Sequence, residues 1–306
     1  MRNVLLSKHT ASDVEARISK ILKGLGNPEP PLRLEDAREL LRLDKGYYSS
    51  RDDSFLREAV SKLTIAGIQV LQRPTLLLEV VRKLDLRALY LPDRKRILLD
   101  QSQPEIKQRW NEAHEIGHSI LPWHAELMLG DHEQSLSTAC HAQIEAEANY
   151  AAGQLLFLER KFAAMANDSA PGLKAVRTLK EAFGNSFATT LWRYVECAHL
   201  HVPMVGLIGP HPRRLPEGFD LRAPFRHIIQ SPAFVAEFGD ANDAELFRAL
   251  AGYCSENKGG PLGAGEAILT DRNKSSHLFK LETFGNSYDC LTLAVYDRKA
   301  HRGLGF

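Results

Sequence analysis

One short run constrains this chain more than any other. Residues 109–122 read RWNEAHEIGHSILP and contain His114-Glu115-Ile116-Gly117-His118, an HExxH arrangement. On a helix of 3.6 residues per turn, positions four apart stand one above the other, so both imidazoles can reach a single cation. Glu115 lies about 100° round the helix from His114, close enough to take a proton from water at that cation without being a ligand. The flanks predict the helix that this chemistry needs. Pro104 suits a first turn and Glu105 its positive dipole end, while Ile106, Trp110, Ile116, Ile120 and Leu121 supply packing and Pro122 stops it. Two stacked histidines can also lie on a solvated helix face, so the site needs a third ligand.

The remaining composition bounds what such a site can belong to. At 306 residues the chain exceeds the usual size of one compact domain, which predicts two domains or one domain with a large extension. Hydrophobic residues make up 44% and charged residues 25%, and 39 basic against 38 acidic side chains leave a net charge of +1. That balance gives no global electrostatic case for a nucleic-acid or membrane partner. The four cysteines, Cys140, Cys197, Cys254 and Cys290, are far apart and form no C-x-x-C pair, which favours reduced thiols in a cytoplasmic protein. The run Val4-Leu5-Leu6 is too short for a signal peptide, and Glu79 interrupts TLLLEVV before it approaches a membrane span. A cytoplasmic location is expected.

Along the chain, helices are expected at 12–23, capped by Ser12, then at 33–44 and 53–65, with GLGNPEPP as a breaker-rich linker. From Gly67 the pattern changes to a strand around Ile68–Leu71, a helix at 75–85, and strands at 88–91 and 97–99 joined by the turn Pro92–Lys95. That hairpin leads into the HExxH helix, and an edge strand there could hold an extended peptide by backbone pairing. After a polar loop, a helix is expected from Ser137 to Phe162. On it Glu145 and Asn149 share a face with His141, whereas Glu147 points about 200° away from Glu145.

Three residues compete for the third ligand position. His124 follows His118 by six residues, as in the metzincin pattern HExxHxxGxxH, but Leu121-Pro122 stands where that pattern needs its glycine. His141 shares the face of Glu145 and ranks as a supporting or substrate-binding residue. Glu145 is preferred, because a carboxylate on a second helix rich in small residues completes a two-histidine, one-glutamate site and leaves a position for water.

AHEIGH followed by IEAEANYAAGQLL resembles the ImmA/IrrE family of bacterial zinc metallopeptidases, whose members show AHExxH and then E-x-x-A-N-x-F-A-x-x-L-L. The resemblance covers about residues 65–162. It implies Zn2+, with Mn2+ or another divalent metal as an alternative, held by His114, His118 and Glu145, and Glu115 as the catalytic base. It also implies a protein substrate, in particular a helix-turn-helix transcriptional repressor whose cleavage relieves repression under stress. Asn149, His141, His124 and Tyr150 are the candidates for support of the ligands, and His124, His132, His141 and Tyr150 those for an oxyanion donor. Ala151 replaces the usual Phe, and Phe157-Leu158 stands where Met-Pro often ends the helix; both departures bear on packing and substrate fit rather than on ligation.

Beyond this core, helices at 173–183 and 187–199 could form a helix-turn-helix, although a lone pair favours packing over DNA contact. The His-, Arg- and Pro-rich segment 199–227 reads as a solvated connector. The last hundred residues predict strands at 205–208, 267–269, 277–284 and 288–296, a helix at 241–254, a glycine loop at 259–265 and a hairpin turn at 284–287. The expected fold is α+β: a mainly helical zincin-like core with a small sheet, then a helical segment and a small α+β domain. The expected boundaries are 1–64, 65–165, 166–200 and 201–306, the last sensory or regulatory by analogy. Two functions compete. One is a zinc endopeptidase, and the other a non-catalytic regulator that binds a repressor, an antitoxin or DNA on the same scaffold; Glu115 favours the enzyme.

Overall fold

In a computed structural model, residues 2–3, 5–48, 88–124, 138–239, 242–286 and 288–300 are described. The helices expected at 53–65 and 75–85, the strand near 68–71 and His132 lie outside them. The architecture is mixed α+β in two compact units, Leu6–Glu159 and Met1–Leu5 with Arg160–Phe306. These boundaries differ from the sequence-based ones. The N-terminal helices belong with the HExxH helix, and the helix pair after 170 belongs with the C-terminal sheet.

The first unit contains α1 (Lys8–Gly24), α2 (Leu34–Leu41), β1 (Asp44–Tyr48), β2 (Ala88–Leu91), β3 (Arg96–Asp100), α3 (Glu105–Ile120) and α4 (Thr138–Leu156). The stripe Val14, Ile18, Ile21 and Leu22 of α1 is buried, but the cap is Ser7, whose hydroxyl accepts from the Thr10 N–H, rather than Ser12. β2 and β3 pair antiparallel across the turn Pro92–Arg94, closed by Lys95 at φ 48°. β1 was not foreseen, because DKGYY lacks an apolar alternation. It pairs in parallel with β3, giving the order β1-β3-β2 and leaving β2 at an edge among the described residues.

β3 delivers the chain to α3, which packs on β2, β3 and α4. α3 and α4 approach closely because small residues face each other. A Cβ at Gly117 would lie 2.8 Å from the Ala148 carbonyl oxygen and 3.2 Å from the Ala151 Cβ. Ala148, Ala151 and Ala152 are fully buried. α4 stops six residues before the expected Phe162. Leu158 and Glu159 adopt left-handed backbone at φ 52° and 50°. The Glu159 N–H returns to the Gln154 carbonyl at 2.9 Å, which satisfies a carbonyl the broken helix would leave open.

The second unit contains α5 (Arg160–Asn167), α6 (Leu173–Phe183), α7 (Phe187–Cys197), β4 (Met204–Gly209), β5 (His227–Gln230), α8 (Pro232–Glu237), α9 (Asp243–Tyr253), β6 (Gly259–Thr270), β7 (Ser276–Asn286) and β8 (Cys290–Lys299). The sheet runs β5-β4-β8-β7-β6, antiparallel throughout. Ser186 caps α7 through the Thr189 N–H. α7 buries Phe187, Leu191, Tyr194 and Val195 and packs on β4 and β5. The connector is pinned within its unit: His211 Nε2 hydrogen-bonds the Asn257 carbonyl at 3.0 Å, and Arg214 donates to the Glu256 carbonyl.

The glycine run 259–265, expected as a loop, is the first half of β6. A Cβ at Gly265 would meet the Tyr253 ring at 2.2 Å, so glycine is what lets that ring lie across the strand. The Tyr253 hydroxyl then reaches Thr283 Oγ1 at 2.6 Å, which is 2.8 Å from Thr292 Oγ1. Arg2 bridges in parallel to Ile228 on β5 and pairs with Asp243 at 2.8 Å. Asn3 donates its backbone N–H to the Ile228 carbonyl and accepts from the Gln230 N–H through its side chain. Among the described residues no helix is long and apolar enough to cross a membrane.

Candidate metal centre

The one-turn offset on α3 brings His114 and His118 together, edge to face, with ring centroids 4.7 Å apart and Nε2 atoms 3.1 Å apart. α4 brings Glu145 to the same point. Its Oε2 is 3.2 Å from His114 Nε2 and its Oε1 is 3.6 Å from His118 Nε2. One ligand atom from each of the three lies within 4.8 Å of the others. The His118 side chain is 5% exposed and that of Glu145 41%, so the cluster opens to solvent on the glutamate side.

The electrostatics favour positive charge at this point. Burial pushes the Glu145 carboxyl up, but hydrogen bonds from His114 and His118 outweigh it and hold the group far below the usual carboxylate range. Burial pulls the His114 imidazole down, yet its hydrogen bond to Glu145 and the charges of Glu115 and Glu145 leave it above its ordinary value. Glu115 is buried, and burial pushes its pKa up against the opposing pull of both histidines and a hydrogen bond from the Tyr90 backbone on β2. This carboxyl therefore sits beside both the cluster and the edge strand.

A second layer stands behind the rings. His114 Nδ1 donates to Asn149 Oδ1 at 3.0 Å. His118 Nδ1 lies 2.9 Å from His124 Nδ1, and His124 Nε2 is 3.0 Å from Glu147 Oε2. Trp123 Nε1 donates to the same carboxylate oxygen at 2.7 Å, and Gln143 Nε2 to the other at 2.8 Å. Further along α3, the buried Glu112 accepts from Arg38 of α2 at 2.6 Å and from Lys45 of β1 at 2.8 Å, anchoring the helix to both elements.

The structure thus brings His114, His118 and Glu145 together, sets Glu115 beside them, and places Asn149 and His124 behind the two rings. His124 faces the outer nitrogen of His118. The Tyr150 hydroxyl is turned to Glu15 of α1, to which it donates at 2.5 Å. The His141 side chain lies outside the description, although α4 carries its backbone. Sequence reasoning did not single out Glu112, Trp123, Gln143 or Glu147 as part of the site. For Glu147 the one available signal was its position two residues after Glu145, on the opposite side of the helix from the cluster.

Two histidines of one helix and a glutamate of another, converging beside a small sheet, define a mixed α+β protein with a candidate cation site. Residues 65–194 match the Peptidase_M78 family model, described as an IrrE N-terminal-like domain. Its fold is similar to that of a Mycobacterium tuberculosis transcriptional regulator, with a TM-score of 0.52 and 12% identity over 96% of this chain and 92% of that one. No curated protein matches the chain.

Proposed function

We propose that the chain is a zinc-dependent endopeptidase with a zincin-like core, acting in the cytoplasm on a protein substrate, in particular a helix-turn-helix repressor whose cleavage relieves repression. The observation that carries this reading is the convergence of His114 Nε2, His118 Nε2 and a Glu145 oxygen, with the buried Glu115 carboxyl alongside. The residues fit a divalent cation: three donors meet, and each imidazole has its outer nitrogen engaged by a neighbour, which directs the inner one to the common point. When bound, such an ion, Zn2+ or alternatively Mn2+ or another divalent metal, polarises a peptide carbonyl and lowers the pKa of water beside it.

Glu115 takes the proton from the attacking water and passes it to the leaving amine. Burial pushes its pKa up, which strengthens it as a proton acceptor. β2, at a sheet edge among the described residues and hydrogen-bonded to Glu115 through Tyr90, holds the substrate in extended form by backbone pairing and presents the scissile bond to that acid. Asn149 keeps the His114 ring in place. The Arg160–Phe306 unit is proposed to regulate the peptidase or to present its substrate.

Co-expression with the helix-turn-helix repressor of a neighbouring gene tests this. Cleaved repressor is expected with the wild type, and intact repressor with Glu115→Gln, which retains zinc. Intact repressor in the presence of zinc-loaded wild type would overturn the reading.

A further inference from the structure

We propose that Glu147 and His124 form a positioning relay that fixes the tautomer and ring orientation of His118. The proposal rests on the reading of His114, His118 and Glu145 as a cation site. A ligand imidazole must present an unprotonated nitrogen, and for His118 that atom is Nε2, which faces His114 Nε2 at 3.1 Å and Glu145 Oε1 at 3.6 Å. The ring proton of His118 then resides on Nδ1, 2.9 Å from His124 Nδ1. Two ring nitrogens share a hydrogen bond only when one of them carries the proton, so His118 donates and His124 accepts. Neutral His124 is left with its proton on Nε2, 3.0 Å from Glu147 Oε2, and an ionised carboxylate only accepts.

The reverse arrangement fails at both ends. A proton on His124 Nδ1 would face the proton of His118, and the lone pair left on Nε2 would face the Glu147 oxygen. The charge of Glu147 therefore selects the tautomer of His124, and His124 selects that of His118. Glu147 is itself held on both oxygens, by Trp123 at 2.7 Å and Gln143 at 2.8 Å, so it cannot turn away. His124 is fully buried and Glu147 is 6% exposed, which leaves little room for water to take over either role. The two histidines are thus supported differently. A neutral amide, Asn149, holds His114, while a charged two-residue chain holds His118. The relay also ties the segment just after α3 to α4, the helix that carries Glu145.

The test is zinc affinity, measured by competition with a chromophoric chelator, for the wild type, Glu147→Gln and His124→Phe, together with thermal melts in excess chelator. Both variants are expected to bind zinc about 10- to 100-fold more weakly. Nitrogen-15 spectra of the zinc-loaded wild type should show His124 protonated on Nε2, with a mixture of tautomers in Glu147→Gln. Should His124→Phe fail to fold, the isosteric Glu147→Gln carries the test alone. Variant affinities within twofold of a wild type that does bind zinc, or melts lowered at unchanged affinity, would overturn the relay and leave the cation reading standing. A wild type that binds no zinc would remove both.

Discussion

At the scale of single residues, His114 sets a pH dependence. Burial lowers its pKa, but the hydrogen bond to Glu145 and the nearby carboxylate charges raise it further than burial depresses it. In the metal-free protein the protonated ring therefore adds stability that is fully present below its unfolded value of about 6.5 and is lost as pH rises through the higher folded value. A cation must displace this proton. Apparent zinc affinity is expected to rise as pH increases through the same window, measured by chelator competition in a pH series; affinity that stays flat there would contradict the assignment of His114. Helical spacing alone puts the HExxH histidines and Glu115 on shared or adjacent faces of one helix, whereas Glu145, on another helix, is preferred from its small-residue surroundings and the ExxAN resemblance. Glu147 was not legible, since it does point away from the cluster, and only the turn at Leu121–His124 brings an imidazole round to meet it. The Glu112 pairing with Arg38 and Lys45 was equally hidden, because those partners come from a helix and a strand far earlier in the chain.

At the scale of elements, the separation of α3 and α4 decides whether the carboxylate reaches the imidazoles. Gly117→Ala would place a methyl 2.8 Å from a backbone oxygen of α4, and backbone cannot rotate aside as a side chain can. The helices must part, at a cost of about 1–3 kcal/mol in unfolding free energy. Urea denaturation should show this loss, accompanied by weaker zinc binding; a variant of wild-type stability and affinity would show that the contact is more compliant than the geometry indicates. The long apolar-faced helices and the β2–β3 hairpin were readable from periodicity. β1 was not, because a five-residue strand of Asp, Lys, Gly and two Tyr owes its form to its parallel partner β3 rather than to its own alternation. β6 was misread for the opposite reason. Its glycines look like punctuation, but they make room for the Tyr253 ring from the helix before them. The end of α4 was missed because its two left-handed residues are Leu158 and Glu159, not glycine or asparagine.

At the scale of the whole molecule, the proposed cation ligands His114, His118 and Glu145 all lie within Leu6–Glu159. A ligand that binds only the folded form stabilises it in proportion to the logarithm of its concentration over its Kd. Zinc should therefore slow amide hydrogen exchange in α3 and α4 and leave β6, β7 and β8 largely unaffected, with chelator reversing the effect. Equal protection of both units would mean that the ion stabilises more than the helices that hold it.

The pairing of Arg2 and Asn3 with β5 gives the chain an awkward order of assembly. Their partners, Glu196, Ile228, Gln230 and Asp243, lie some two hundred positions later in the sequence. Arg2 and Asn3 must wait unpaired while the intervening globule forms, and closing so large a loop is slow.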